Sequence, residues 1–137
     1  MSEKLICGAA MLFLALLLAG CDIRFDPARM ERELAYSEAV NMNVWPQNYA
    51  GKTRTVTGES VSERFAVTDK TYHFVAVPNA DGTYAEKIEY LSSDGCYPAD
   101  GAPVTVTGEF EVFLEYGIQY CRLKDAAIIT NEGDSTT

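Results

Sequence analysis

Val104-Thr-Val-Thr-Gly-Glu-Phe-Glu-Val-Phe-Leu-Glu-Tyr116 is the stretch on which the fold turns. Val104, Val106, Phe110, Val112, Leu114 and Tyr116 fall on one face of a period-two pattern. Thr105, Thr107, Glu109, Glu111 and Glu115 fall on the other, with Phe113 out of step. Side chains alternate faces along a strand, so the pattern predicts a long strand with one apolar side buried and one polar side in water. Gly108 interrupts it. A glycine inside a long strand offers nothing to pack and suits a bulge or a sharp bend from one part of a sheet into the next.

The same phrase occurs earlier in the chain. Gly51-Lys-Thr-Arg-Thr-Val-Thr-Gly-Glu59 and Gly101-Ala-Pro-Val-Thr-Val-Thr-Gly-Glu109 share their opening glycine and the ending Thr-Val-Thr-Gly-Glu. Further runs of strand type span Thr53 to Glu63, Thr71 to Val77, Tyr84 to Leu91 and Ile118 to Ile129. They are separated by the turn sequences Asp69-Lys70, Asn79-Ala80-Asp81-Gly82 and Glu115-Tyr116-Gly117. Five strands in about eighty residues fit a small antiparallel barrel better than a sandwich. In such a barrel the first and fourth strands must bend, so Gly58 and Gly108 are expected where those two strands close it.

Upstream, Asp26-Pro27 is a helix opening, with Asp as cap and Pro at a position where its missing N–H costs nothing. Met30, Leu34, Tyr36 and Val40 then form an imperfect apolar stripe, predicting one helix from Pro27 to about Val40 that covers an end of the sheet. Trp45-Pro46-Gln47-Asn48-Tyr49-Ala50-Gly51 ends it. The expected class is all-β with one N-terminal helix.

The N-terminus specifies location. An apolar run from Leu5 to Ala19 is about fifteen residues long, short of the roughly twenty that a bilayer span requires. It closes on Leu18-Ala19-Gly20-Cys21, which resembles the lipobox of bacterial lipoproteins. The resemblance implies cleavage between Gly20 and Cys21, lipidation of Cys21 and anchoring on the extracytoplasmic face of the cell membrane. The two chains of a diacylglyceryl group make that attachment stable. The chain then divides into a signal peptide (1–20), a short tether (21–26), the folded domain (27–130) and a polar disordered tail (131–137).

The stretches Met42-Asn-Val-Trp-Pro-Gln-Asn-Tyr-Ala-Gly-Lys-Thr-Arg-Thr-Val-Thr-Gly58, Tyr72-His-Phe74, Glu89-Tyr90, Tyr97-Pro98, Val104-Thr-Val-Thr-Gly-Glu-Phe110 and Tyr120-Cys-Arg-Leu-Lys-Asp-Ala126 together resemble a group of uncharacterised OB-fold lipoproteins of anaerobic Gram-positive bacteria. The resemblance runs from about Ala35 to Ile128 and implies a five-stranded antiparallel OB-like barrel. Members of the group often carry a Cys-Cys pair after the second strand; here Thr83, Tyr84 and Ala85 fill that place. The group implies a fold and a location, and no activity.

Composition limits the function classes. A net charge of −9 repels nucleic acid and anionic lipid alike. The single histidine, His73, lies mid-strand without metal-ligand spacing or a nucleophile motif, and Glu109, Glu111 and Glu115 read as a solvated strand face. No enzyme, cofactor or metal site is expected. Cys96 and Cys121 are the thiols left after cleavage and lipidation, and three readings of them stay open: a disulfide suited to an export compartment, two free thiols, or soft metal ligands. Tyr72, Phe74, Tyr84 and Tyr90, on the second and third strands, form a candidate binding face for an envelope protein, peptide or glycan. The expectation is therefore a lipid-anchored, non-enzymatic binding module. Its alternative is a metal- or redox-linked envelope accessory protein using Cys96 and Cys121.

Overall fold

Asp26 opens the helix as its sequence position predicts. Its carboxylate accepts from the backbone N–H groups of Ala28 and Arg29 at 3.1 and 3.3 Å, satisfying donors that the first turn leaves free. Such a cap contributes about 1 kcal/mol. The computed structural model describes residues 25–130. The expected signal peptide, Cys21, the first part of the tether and the tail 131–137 lie outside the described residues.

Helix α1 spans Pro27–Val44, one turn past the expected end. A short 3-10 turn follows over Pro46–Asn48. The strands are β1 (Thr53–Phe65), β2 (Lys70–Pro78), β3 (Ala85–Ser92), β4 (Pro103–Glu115) and β5 (Ile118–Thr130). They close into a ring in the order β1-β2-β3-β5-β4, with β4 returning to β1. Four seams are antiparallel, and the β3–β5 seam is parallel. The sheet is therefore mixed, which corrects the wholly antiparallel expectation. The reason is parity: strand direction cannot alternate at every seam of a ring with an odd number of strands.

The repeated glycines stand where the ring bends. β1 pairs with β4 over Thr53 to Glu59 and with β2 over Glu59 to Phe65, so Gly58 lies at the handover between partners. Gly108 faces a register shift in β4–β5, where Thr107 opposes Ala127 but Glu109 opposes Lys124. The extra residue falls on β5, and Asp125 takes a φ of 49° there, a bulge that tightens the local coil. On the outer surface of the β1–β4 seam, hydroxyl pairs Thr55–Thr107 and Thr57–Thr105 lie at 2.9 and 3.0 Å.

Val104, Val106 and Phe110 of β4 are fully enclosed, packed with Val75, Ile88 and Leu123. The apolar stripe stops there: Val112 is half-buried, and Leu114 and Tyr116 are exposed. The β4–β5 hairpin explains this, because β4 leaves β1 after Glu109 and continues on β5 alone to Glu115. Tyr116 and Gly117, with φ of 54° and 75°, make the tight turn.

The helix packs differently from its stripe. Ala39 and Met42 are buried, Tyr36 is half-buried, and Met30 and Leu34 face solvent. The buried part of α1 is its C-terminal half, which packs on β1, β2 and β3, and its end reaches the seam between β3 and β5. β3 and β5 are paired only at Tyr90–Leu123 and Ser92–Ala126. Beyond those pairs, the Asn43 amide donates to the Lys87 carbonyl at 3.0 Å and to Glu86 Oε1 at 2.8 Å, while its oxygen accepts from the Cys121 thiol at 3.5 Å. One side chain thus satisfies groups on both strands where backbone pairing has ended.

Candidate functional site

The β1–β2 and β4–β5 hairpins stand on either side of the outer part of β3, and a groove of about 500 Å³ runs between them. Each wall follows from local sequence. Lys70 to His73 begin β2, Glu89 to Leu91 end β3, and Phe113 to Glu115 with Arg122 form the free part of the β4–β5 hairpin. Tyr97, from the β3–β4 loop, closes one end.

The rings are ordered by stacking. His73 lies flat on Tyr97, centroids 3.5 Å apart and planes 8° from parallel, and Tyr97 is tilted against Tyr90 at 5.5 Å. The Tyr97 hydroxyl accepts from the Ser92 N–H at 3.2 Å, which ties the loop to the end of β3. Phe113 stacks on Tyr120 at 5.7 Å, and the Arg122 guanidinium lies 4.2 Å above the Phe113 ring centroid. Phe65 meets Tyr72 edge-on at 5.1 Å on the opposite hairpin.

The charges are unevenly matched. Arg122 Nε donates to Glu111 Oε2 at 2.9 Å, so its guanidinium is held by Glu111 and Phe113 together. Glu89 and Glu115 have no hydrogen bond or ion pair among the described residues. Burial pushes the Glu89 carboxyl above its ordinary range; Arg122 opposes that shift and the nearby Glu115 and Glu111 add to it. Burial likewise lowers His73, against the pull of Asp100, which is itself bonded to Ser62 Oγ at 2.8 and 3.0 Å.

The four aromatics expected to share a face are separated. Tyr72 lines the groove. Tyr90 forms part of its floor but belongs to the core, fully buried, with its hydroxyl 2.9 Å from Ser60 Oγ. Phe74 is half-buried beside Glu89, its partner in β3. Tyr84 is exposed in the β2–β3 turn, where its N–H donates to Asn79 Oδ1 at 3.3 Å, and it does not line the groove. Residue parity decides Tyr90: it is in step with buried Ile88, whereas Glu89 and Leu91 take the outward positions. Glu109 is separate too, paired with Lys124 at 3.7 Å, so the expected row of three glutamates is divided.

Cys96 and Cys121, the cysteines among the described residues, are both free, and the candidate bridge between them is not formed. Cys96 is exposed beside Ala126, Ile128 and Thr130, at the C-terminal end of β5. Cys121 lies five residues before Ala126, roughly 16 Å along an extended strand, beyond the roughly 7 Å Cα limit of a disulfide. Burial, with the Glu89 charge as the lesser cause, pushes the Cys121 thiol up, holding it as a neutral S–H donor to Asn43. Among the described residues no group of three or more His, Cys, Asp or Glu side chains could hold a metal ion.

Glu89, Tyr97, Phe113 and Arg122 escape pattern reading as site residues. Phe113 carries a signal, as the apolar residue out of step with its strand: it faces outward onto Arg122 rather than inward. Comparison of the chain with protein-family models, curated proteins and solved structures found no match.

Proposed function

We propose that this protein is a lipid-anchored extracytoplasmic binding module, built on an OB-like barrel, that holds its ligand in the groove across β2, β3 and the β4–β5 hairpin. The observation that carries the reading is the groove itself: about 500 Å³ of open space, walled by ordered rings and bounded by two projecting hairpins. The strand order, with β1 bent between β2 and β4 and β3 beside β5, supports the OB-like assignment. In OB folds the second and third strands with the flanking loops form a binding face. The lipobox at Leu18 to Cys21 supports the anchor.

A net charge of −9 favours a protein, peptide or glycan of the envelope over nucleic acid. The redox alternative loses support from the half-buried Cys121 thiol, which burial favours in its neutral form, and from its separation from Cys96, which lies beside the far end of β5. A photo-crosslinking amino acid at Leu91, at the groove, is compared in intact cells with one at the exposed helix position Ser37. Discrete adducts from Leu91 and none from Ser37 are expected, on protein whose intact mass carries a diacylglyceryl group at Cys21. Equal labelling from both positions would overturn the groove as the binding face, and an unlipidated chain would overturn the anchor.

A further inference from the structure

The groove is flanked by apolar side chains that nothing among the described residues covers. Val67 on the β1–β2 hairpin is 99 % exposed, Tyr116 on the β4–β5 hairpin 93 % and Leu114 73 %, with Phe65 and Ile118 about half exposed beside them. Isolated exposed apolar residues are ordinary, but here they sit on two projections either side of one cavity. A small sugar or free amine would occupy the cavity and leave both tips in water. A polypeptide crossing from one hairpin to the other would cover them.

Charge specifies the sign of that polypeptide. The groove's cations are already engaged or displaced to its edge: Arg122 is bonded to Glu111 and stacked on Phe113, and Lys70 stands at the exposed start of β2. On the β1–β2 hairpin, Arg64 is paired with Asp69, and Lys87 of β3 with Glu63. Two lining carboxylates, Glu89 on β3 and Glu115 on β4, have no hydrogen bond or ion pair among the described residues, and the rings of Tyr72, Tyr97 and Phe113 line the groove with them. A half-buried carboxylate without a hydrogen bond has lost hydration, and for Glu89 the attraction of Arg122, already bonded to Glu111, offsets that loss in part. An incoming ammonium or guanidinium supplies the missing partner, and the ring faces attract the same charge.

Resting on the groove reading above, we propose that the groove docks a basic segment of a protein partner, seating a lysine or arginine between Glu89 and Glu115 while the apolar neighbours of that residue pack on the hairpin tips. Whole-molecule electrostatics act in the same direction, since a chain of charge −9 attracts a basic partner at long range.

The test uses the full-length protein in non-ionic detergent micelles and two synthetic peptides with capped ends. One is leucine-lysine-tyrosine-lysine-leucine; the other has glutamate in place of both lysines. The lysine peptide is expected to shift the amide resonances of Glu89, Leu91, Glu115 and Arg122, and the glutamate peptide to leave them unmoved. Glu89→Gln and Glu115→Gln, which keep the side-chain shape, are each expected to weaken binding of the lysine peptide roughly fivefold, as a partly screened ion pair does. Amides remote from the groove should stay in place, showing that the fold is intact. Equal binding of both peptides, or of the lysine peptide to wild type and both variants, would overturn the basic-segment assignment and leave the groove as a binding face. Binding of neither peptide would also overturn the assignment, and the crosslinking from Leu91 then decides the groove reading separately.

Discussion

Replacing Gly58 with alanine is expected to destabilise the protein by about 3 kcal/mol or more, a large share of the roughly 5–15 kcal/mol that holds a small domain folded. The cause is space. A Cβ at Gly58 would run into the Ala76 carbonyl oxygen on β2, with the carbonyl carbon at 2.9 Å and Val75 Cγ1 at 3.0 Å. Two of those three atoms are backbone, which cannot swing aside as a side-chain end can. Relief would require β1 and β2 to separate where β1 changes partner from β4 to β2, which is the bend that closes the ring. Gly82 supplies the contrast. It has a φ of 69° and nothing within 4 Å of the point a Cβ would occupy, so Gly82→Ala meets only the left-handed backbone penalty, about 1 kcal/mol. Urea unfolding followed by circular dichroism measures both. Equal losses for the two variants would mean that the β1–β2 approach at Gly58 relaxes freely.

A loss of about 2 kcal/mol is expected for Tyr90→Phe, because it strands a hydroxyl rather than opening a cavity. Ser60 and Tyr90 are each essentially fully buried, and their hydroxyls meet at 2.9 Å inside the ring. Ser60 is the buried polar residue among the described core positions, and Tyr90 supplies its side-chain partner. Removing either hydroxyl leaves the other without that bond in a site that water reaches poorly. The double variant Ser60→Ala, Tyr90→Phe removes both groups together and is expected to lose markedly less than the sum of the two single losses. Strict additivity in the same unfolding series would show that the pair contributes no coupling. Burial also pushes the Tyr90 hydroxyl above its ordinary pKa, against the Ser60 hydrogen bond, so the pair remains neutral through the physiological range.

The sequence and structure agree most closely where the physics is local. Alternation along 104–112, the cap at Asp26 and the turn at Tyr116-Gly117 each depend on residues a few positions apart, and each is found in place. The repeated Thr-Val-Thr-Gly-Glu locates the two glycines at the β1 and β4 bends without any knowledge of strand pairing. The site is less legible. Tyr72 is recognisable, whereas Tyr90 reads as a face residue although parity with Ile88 places it inside. Glu89 looks like any solvated glutamate until the free end of the β4–β5 hairpin is set over it.

By itself, then, the chain determined one helix, five strands, their turns and the bends at Gly58 and Gly108, because backbone propensity and side-chain periodicity act over short distances. Tertiary structure alone decided the parallel β3–β5 seam, a consequence of closing an odd number of strands, and the plugging of that seam by Asn43. It also decided that Cys96 and Cys121 stay apart and that Glu89, Arg122, Tyr97 and Phe113 meet at one groove. Those residues come from three strands and a loop whose positions are set by ring closure, and no spacing along the chain encodes that distance.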